Sequence, residues 1–306
     1  MGWEGIGTYC RYYDERLIMK ISLKEIIKLI TPPVFIHIIK TLRKRGKSCM
    51  EWEYVPEGWV YSKKHSEIKG WNVAEILATY KKKWPKFIKM IQGTGTLGVS
   101  HESDMNTNED IHSHNEIMSF AYILALASRN KNRISMLDWG GGIGHYYLLA
   151  QALLPELKIE YHCKDVPLLS EYGAQLFPQQ HFYSDEHCFD RDYELVLAST
   201  SMHYTQNWQS LLRHLADVTK GYLYIAKIPV VQKASSFVFV QRTYKYGYNT
   251  EYLGWCLNRD ELLRIAESAG LQLIREFVYG YQPFIYGAPE QNIYSGYLFQ
   301  TSLKEK

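Results

Sequence analysis

The sequence predicts an α/β fold in which a doubly wound, mostly parallel, seven-stranded sheet follows a mainly helical region. Three observations support this prediction. From about residue 106 onward, apolar strand-like runs alternate with helix-like runs, which is typical of a parallel sheet covered on both faces. A cluster of glycines joins the first strand to its helix. The last two strand-like runs have no helix between them, which predicts an antiparallel pair.

The elements follow one another regularly along the chain. Strand-like runs are found at 134–139, 159–163, 181–184, 194–199, 221–229, 271–278 and 293–300. Helix-like runs are found at 115–128, 146–154, 208–218 and 258–270. In the last of these, Asn258 occupies the N-cap position, Glu261 the capping-box position and Gly270 the C-cap position. That combination predicts a helix with defined ends.

Composition limits the class of protein. The chain has 306 residues, of which 46% are hydrophobic and 22% charged, as in ordinary folded proteins. Its net charge of +3 is too small to indicate a nucleic-acid partner. Its five cysteines are scattered and form no C-x-x-C pair, which argues against a disulfide framework or a zinc site. Together with the lack of a secretory leader pattern, this favours the cytoplasm.

Residues 1–105 differ in character from residues 106–306, and we predict a domain boundary between them. The apolar run 30–39 is interrupted by Pro32 and Pro33 and has half the length that a spanning helix needs. A basic cluster follows it, formed by Lys40, Arg43, Lys44, Arg45 and Lys47. This pattern favours a solvated basic face and leaves open a peripheral contact with the inner face of the membrane. The Trp-rich part of the region is open to interpretation as a lid or a dimer surface.

The stretch "ISMLDWGGGIGHYYLLAQALLP", 134–155, passes from a strand through glycines into a helix. Glycines at the end of a first parallel strand let the backbone approach a ligand at the helix N-terminus. A dinucleotide fingerprint G-x-G-x-x-G would need glycine at 145 or 147, where His145 and Tyr147 stand. Asp138 at the strand end suits a ligand with an ammonium group better than a pyrophosphate. A purely structural glycine turn is the alternative.

The pattern Asp138-x-Gly140-x-Gly142-x-Gly144 resembles motif I of the class I methyltransferases that use S-adenosyl-L-methionine (SAM). "YELVLASTSMHYTQNWQSLL" resembles their motif IV. From about residue 112 to the end, "DWGGGIGHYY", "KDVP", "VQRTYKYGYNTEYLGW" and "GAPEQ" are similar to a methyltransferase family that accompanies glycosyltransferases in polysaccharide and lipopolysaccharide gene clusters. "PEGW", "GWNV" and "GTGTLGVSHE" extend the similarity to most of the chain.

The resemblance implies a Rossmann-like class I fold, SAM as cofactor and a saccharide or lipid-linked acceptor. It assigns Asp138, Gly140, Gly142, Gly144 and Asp165 to the cofactor. Asp165 follows the second strand, where an acidic side chain can accept hydrogen bonds from both ribose hydroxyls, and Pro167 favours an extended exit from that strand. Asp185, after the short strand 181–184, stands where methyltransferases often recognise the adenine amine. A solvated loop carboxylate is an equal alternative for Asp185.

Methyl transfer to a poorly acidic hydroxyl requires an aligned acceptor and a base that takes its proton. Three histidines are candidates for that base. His203 directly follows the fourth strand, whereas His112 and His114 precede the long apolar helix. His145, just after the glycines, is a candidate for contact with the cofactor. For each of these histidines a structural or surface role is the alternative.

The segment 240–255 lies where methyltransferases commonly insert acceptor-recognition elements. It contains Tyr244, Tyr246, Tyr248, Tyr252 and Trp255 together with Arg242 and Lys245. Aromatic faces suit the apolar face of a sugar, and the cations suit a phosphate or carboxylate on it. The alternation at 244, 246 and 248 is equally typical of one face of a strand in the core.

We therefore predict an enzyme that O-methylates a hydroxyl of a saccharide or glycan precursor, with no metal and no nucleic-acid partner. Two other classes stay open: a catalytically silent SAM-binding partner of a glycosyltransferase, and an oxidoreductase that uses NAD. Metal dependence is a lesser variant, because only Asp190 and Asp192 lie close together in a loop. "STSMHY" does not match the N-P-P-Y stretch of nucleic-acid methyltransferases. The oligomeric state is open.

Overall fold

The computed structural model describes residues 50–98, 110–280 and 282–302. Within these residues there are ten strands: β1 (Trp52–Tyr54), β2 (Arg133–Trp139), β3 (Lys158–Lys164), β4 (His181–Tyr183), β5 (Tyr193–Ser199), β6 (Thr219–Val231), β7 (Phe237–Arg242), β8 (Glu251–Asn258), β9 (Leu271–Val278) and β10 (Ile293–Thr301). Six α-helices accompany them in the same residues: α1 (Ala74–Gln92), α2 (Ile111–Ala127), α3 (His145–Leu153), α4 (Pro167–Leu176), α5 (Trp208–Asp217) and α6 (Arg259–Ser268).

Seven strands form the main sheet in the order β4-β3-β2-β5-β6-β10-β9. The first five are parallel to one another. β10 is antiparallel to both β6 and β9. The predicted doubly wound sheet with an antiparallel end is therefore confirmed. Strand order reverses beside β2, so the crevice between the ends of β2 and β5 is the place where such sheets bind ligands.

Helices cover both faces of this sheet. Phe120 and Leu124 of α2 and Leu149 of α3 are buried on one face with β2 and β5. Leu212 and Leu215 of α5 and Leu262 of α6 are buried on the other. Burial of each side chain of this size contributes about 1.5–3 kcal/mol, so the two layers hold the strand ends in fixed positions. α4 was not predicted; Pro167 is its first residue, a position where proline needs no N–H partner.

Three further strands extend the sheet and were not predicted. β6 continues beyond the end of β5, and its residues Val230 and Val231 pair in parallel with the end of β8. β7 is antiparallel to β8, and β1 is antiparallel to β7. Residues Met50–Lys306 form one compact unit, to which β1 and α1 belong. The predicted boundary at residue 105 lies outside the described residues and stays a prediction.

The predicted N-cap of α6 is confirmed. The Asn258 side chain accepts a hydrogen bond from the Glu261 N–H at 2.9 Å. The Glu261 carboxylate does not close the capping box itself. It accepts a hydrogen bond from the Ser236 hydroxyl at 2.5 Å, and that hydroxyl in turn accepts one from the Asn258 N–H at 2.8 Å.

Replacing Asn258 with alanine is expected to reduce the free energy of unfolding by about 1 kcal/mol, because a helix N–H loses its partner. Urea titration followed by circular dichroism measures this change. Asn207 gives a matched control, since it is the N-cap of α5 without a side-chain hydrogen bond to the helix. Equal losses in Asn258→Ala and Asn207→Ala would contradict a capping role for Asn258.

Across the ranges that the structure describes, no helix combines the length and the apolar character needed to cross a bilayer.

Candidate active site

The carboxyl ends of β2, β3 and β5, together with Lys227 in β6, line a cavity of about 250 Å³. Its wall has three parts. One is the glycine loop after β2 with Asp165 after β3, and a second is a polar group of Glu116, Tyr146, Ser199 and Lys227. The third is aromatic and includes Trp71, Tyr80, Trp139 and Tyr204. Of the predicted cofactor residues, Gly140, Gly142 and Asp165 thus face the same space as Ser199 of β5 and Lys227 of β6.

The glycine loop needs its glycines for steric reasons. Gly140, Gly142 and Gly144 have φ angles of +76°, +63° and +99°, a region that strongly favours glycine. A Cβ on Gly140 would lie 2.2 Å from Cβ of Ser201, and one on Gly144 would lie 2.8 Å from the Phe177 ring. Gly140 and Gly142 line the cavity, whereas Gly144 is the N-cap of α3. The backbone at Gly140 and Gly142 therefore faces the cavity without a side chain of its own.

Asp165 lies on the cavity wall beside this loop. Its carboxylate accepts a hydrogen bond from the Gly142 N–H at 2.7 Å and one from the Val166 N–H at 2.6 Å. Burial raises the pKa of Asp165, although those two N–H groups act in the opposite direction. Two donors fix the carboxylate, and its remaining lone pairs can accept hydrogen bonds from a ligand's hydroxyls.

Asp138 is buried beneath the loop and does not line the cavity. One of its carboxylate oxygens accepts a hydrogen bond from the Tyr161 hydroxyl at 2.6 Å. The other, Oδ1, is buried and has no hydrogen-bond partner among the described residues. Burial outweighs the Tyr161 hydrogen bond, which acts in the opposite direction, and together with the nearby charge of Asp165 it raises the pKa of Asp138 to about 7. A positively charged group of a ligand above the loop would stabilise the ionised form.

Asp185 is not among the described residues that line this cavity. It is exposed, accepts a hydrogen bond from the His187 N–H at 3.1 Å and caps the short helical turn Glu186–Phe189. It lines a separate surface cleft with Phe189 and His214. Contact of Asp185 with adenine stays a prediction.

The predicted histidine bases do not lie on the cavity wall. None of His203, His112 and His114 is among the described residues that line it. His203 is fully buried, its ring packs on Tyr204 and Phe239, and neither ring nitrogen has a hydrogen-bond partner in the described part of the chain. Burial and, to a lesser extent, the charge of Lys227 lower the pKa of His203 to about 3. His112 Nδ1 lies 2.8 Å from the Tyr279 carbonyl oxygen.

Sequence reasoning missed the polar group of the cavity. Glu116 Oε1 accepts hydrogen bonds from the Ser199 hydroxyl at 2.8 Å and the Tyr146 hydroxyl at 2.9 Å. Glu116 Oε2 lies 3.2 Å from Lys227 Nζ. Burial would raise the pKa of Glu116, but the Lys227 charge and the two hydroxyl donors outweigh it and leave the pKa below its usual value. Glu116 is therefore ionised at neutral pH.

Lys227 reaches this group through an irregularity in β6. Ser295 of β10 pairs with Ile228 and Tyr297 with Ile225, so Gly296 faces two residues, Ala226 and Lys227. Such a bulge redirects a side chain and is frequent beside active sites. Lys227 has a φ of +51°, as has Thr200, which also lines the cavity. Two strained non-glycine residues at one cavity indicate a functional constraint.

The aromatic wall includes residues that precede the predicted boundary. Trp71 stacks on Tyr252 with ring centroids 4.5 Å apart and meets Tyr204 edge-on at 5.2 Å. The Tyr204 hydroxyl donates a hydrogen bond to Gln241 at 2.8 Å. The ring of His145 packs among Tyr80, Trp84 and Phe87 of α1. Trp71 and Tyr80, from the described stretch 50–98, thus form part of the cavity wall.

The contacts of segment 240–255 favour a structural role in the core over a role in recognising the acceptor. Tyr248 and Tyr252 are buried, and Tyr244–Tyr246 form a short helical turn instead of one face of a strand. Arg242 pairs with Glu53 and Glu251, and Lys245 pairs with Glu51. Among the described residues, the segment contributes no side chain to the cavity wall.

A metal ion has one candidate group in the described residues, Glu160 with His162 and His181, and it lies off the cavity wall. The two histidine rings are stacked nearly parallel with centroids 4.3 Å apart, so a single ion cannot lie in both ring planes. Arg133 and Arg191 pair with Glu160 and already neutralise it. Asp190 accepts a hydrogen bond from His187, and Asp192 pairs with Lys220.

The strand order, the glycine loop and the acidic residue after the next strand define a Rossmann-like methyltransferase fold. The chain belongs to the family described as "Methyltransferase domain", whose model matches residues 112–276. No curated protein sequence matches the chain significantly.

The chain is also similar to solved methyltransferase structures. Magnesium protoporphyrin IX methyltransferase from Synechocystis PCC 6803 with bound SAM is 12% identical, with a TM-score of 0.45 over 76% of this chain and 100% of that one. A SAM-dependent methyltransferase from Clostridium acetobutylicum is 11% identical, with a TM-score of 0.45 over 73% and 99%. An O-methyltransferase family protein from Burkholderia thailandensis is 14% identical, with a TM-score of 0.40 over 76% and 71%.

Proposed function

We propose that this protein is a SAM-dependent methyltransferase that O-methylates a hydroxyl of a saccharide or glycan precursor. The observation that carries the proposal is the meeting of Asp165, the Gly140–Gly142 loop and the Glu116 group in one cavity at the switch point of the sheet. Asp165 and the glycine loop provide hydrogen-bond acceptors and exposed backbone for a nucleoside. The Glu116 group places polar side chains where the hydroxyl that receives the methyl group would react.

The residues present fit this cofactor. Asp165 would hold the ribose hydroxyls, and the loop at Gly140 and Gly142 leaves room for the ligand to lie against the backbone. The unpartnered Oδ1 of Asp138 beneath that loop suits the positive charge of the cofactor's amino-acid end. When bound, SAM supplies a methyl group on a positively charged sulfur, which makes the group ready for direct displacement. A pyrophosphate would instead be repelled by the Asp165 carboxylate on the cavity wall.

The acceptor side of the cavity supports a sugar. Trp71 and Tyr204 present aromatic rings, which suit the apolar face of a pyranose. Ser199, Ser201 and Thr205 add hydroxyls that can exchange hydrogen bonds with a polyol. The sequence resemblance to methyltransferases of polysaccharide clusters points to the same class of acceptor.

Titration calorimetry with S-adenosylhomocysteine (SAH) tests the cofactor site, with NAD as the competing ligand. SAH is expected to bind at micromolar concentration, and Asp165→Ala is expected to weaken it roughly 10- to 100-fold through lost hydrogen bonds to a charged acceptor. Asp192→Ala is the matched control, because Asp192 is an exposed carboxylate paired only with Lys220 in the described residues. Binding of NAD without SAH would contradict the proposal. SAH binding without turnover on any tested saccharide would favour a silent SAM-binding partner instead.

A further inference from the structure

The residues that line the cavity follow the order of the strands along the edge of the sheet. Asp165 follows β3, the glycine loop follows β2, Ser199 ends β5 and Lys227 lies in β6. These strands are neighbours in the order β3-β2-β5-β6. Under the proposed function, a nucleoside held at Asp165 therefore extends across β2, and its reactive end points toward β5 and β6. The acceptor must approach on that side.

Glu116 stands at that side of the cavity. Its side chain is 12% exposed and reaches over from α2 to Ser199 and Lys227. Oε1 already accepts two hydrogen bonds, from Ser199 and Tyr146. Oε2 has only the Lys227 ammonium as a partner among the described residues. Since a carboxylate oxygen can accept two hydrogen bonds, Oε2 retains a lone pair for a donor in the cavity.

The other basic groups of the cavity wall are less suited to take a proton. Asp165 is fixed by two backbone N–H groups at the opposite side. The ring of His145 is packed among three aromatic side chains. A largely buried Glu–Lys pair is costly to desolvate and gives little net stability, so a pair kept on a cavity wall points to a role in function.

We propose that Glu116 is the catalytic residue that takes the proton of the acceptor hydroxyl, with Lys227, Tyr146 and Ser199 as the residues that position it. The inference rests on the proposed function and narrows it to acceptors that have a proton to give. As the acceptor oxygen bonds to the methyl carbon, the carbon–sulfur bond breaks with its electron pair left on sulfur. The hydroxyl proton passes to Glu116 Oε2, which leaves a methyl ether, a neutral thioether and a protonated carboxyl. A carboxylate acceptor would have no proton to transfer and would be repelled by Glu116.

Sinefungin provides a test that needs no acceptor, because it carries an amine-bearing carbon in place of the methylated sulfur. An ionised Glu116 at the transfer point is expected to bind that ammonium, so the protein should bind sinefungin roughly tenfold or more tightly than SAH. Glu116→Gln should abolish this preference while changing the Kd for SAH less than about threefold. Glu194→Gln is the matched control, since Glu194 also accepts from a serine hydroxyl and pairs with a lysine, but lies off the cavity wall.

The other outcomes separate the two proposals. An unchanged preference in Glu116→Gln, or no preference in the native protein, would overturn the role of Glu116 and leave the cofactor site standing. An equal loss of both ligands would mean that Glu116 holds the amino-acid end of the cofactor, which also overturns it. Failure of the native protein to bind either ligand would overturn the proposed function itself. If thermal unfolding shows that Glu116→Gln does not fold, Glu116→Asp replaces it in the test. Glu116→Asp keeps the charge on a shorter side chain, so it is expected to retain only part of the preference for sinefungin. A preference as large as that of the native protein would count against the proposal.

Discussion

Gly140→Ala is expected to destabilise the protein by about 2–5 kcal/mol and to abolish SAH binding. A left-handed backbone costs a non-glycine residue about 1–2 kcal/mol, and overpacking adds about 1–3 kcal/mol. Both terms apply here, because φ is +76° and the new Cβ would lie 2.2 Å from Cβ of Ser201. Urea unfolding and SAH titration measure the two effects.

Gly247 distinguishes the free-energy cost of the left-handed backbone from the cost of overpacking. Its φ is +82°, yet a Cβ there would meet no atom within 4 Å. Gly247→Ala should therefore cost only about 1–2 kcal/mol from the backbone and leave SAH binding intact. Adding Ser201→Gly to Gly140→Ala removes the clashing atom and should restore part of the lost stability. Equal destabilisation in Gly140→Ala and Gly247→Ala would contradict a close approach at Gly140.

Lys227→Met is expected to destabilise the protein by about 3–5 kcal/mol, because it leaves Glu116 as a buried charge without its ion partner. The double variant Glu116→Gln/Lys227→Met removes both charges and should recover most of this loss. Urea unfolding of the single and double variants measures the coupling between the two side chains. Additive losses would show that the pair is not coupled in the folded protein.

The pH dependence of the same variants provides a second check. In the native protein the pKa of folded Glu116 is below its ordinary value. Its contribution to stability is therefore present above the pKa of the unfolded state and is lost as pH falls through the lower folded value. In Lys227→Met the folded pKa should rise above the unfolded one. The deficit of the variant should then be largest at neutral pH and narrow as the pH falls below the ordinary glutamate range.

The sheet and the meeting of the glycine loop with Asp165 were predictable because their signals are local in sequence. A strand, a glycine turn and an acidic residue at the next strand end occupy known positions relative to one another in any parallel sheet. Asp138, Gly140, Gly142 and Asp165 therefore lie together, as the spacing predicted. The antiparallel β9–β10 pair was predictable for the same reason, since a short connection without a helix leaves few alternatives.

The acceptor side depends on features that no local pattern shows. Lys227 enters the cavity through a bulge set by its pairing with β10, which lies far away in sequence. Glu116 contacts Lys227 only because α2 packs across β5 and β6. Trp71 lines the cavity although it precedes the predicted domain boundary. The histidines were predicted from their place after a strand or before a helix. For His203 that position falls in the turn Met202–Tyr204, which places its ring in the core.

A crystal structure of the protein grown with SAH would test the central claim most directly. We expect both ribose hydroxyls within hydrogen-bond distance of the Asp165 carboxylate, the amino-acid end over the Gly140–Gly142 loop, and the sulfur facing Glu116 Oε2. SAH bound elsewhere on the molecule, or bound in the cavity with its ribose away from Asp165, would contradict the account.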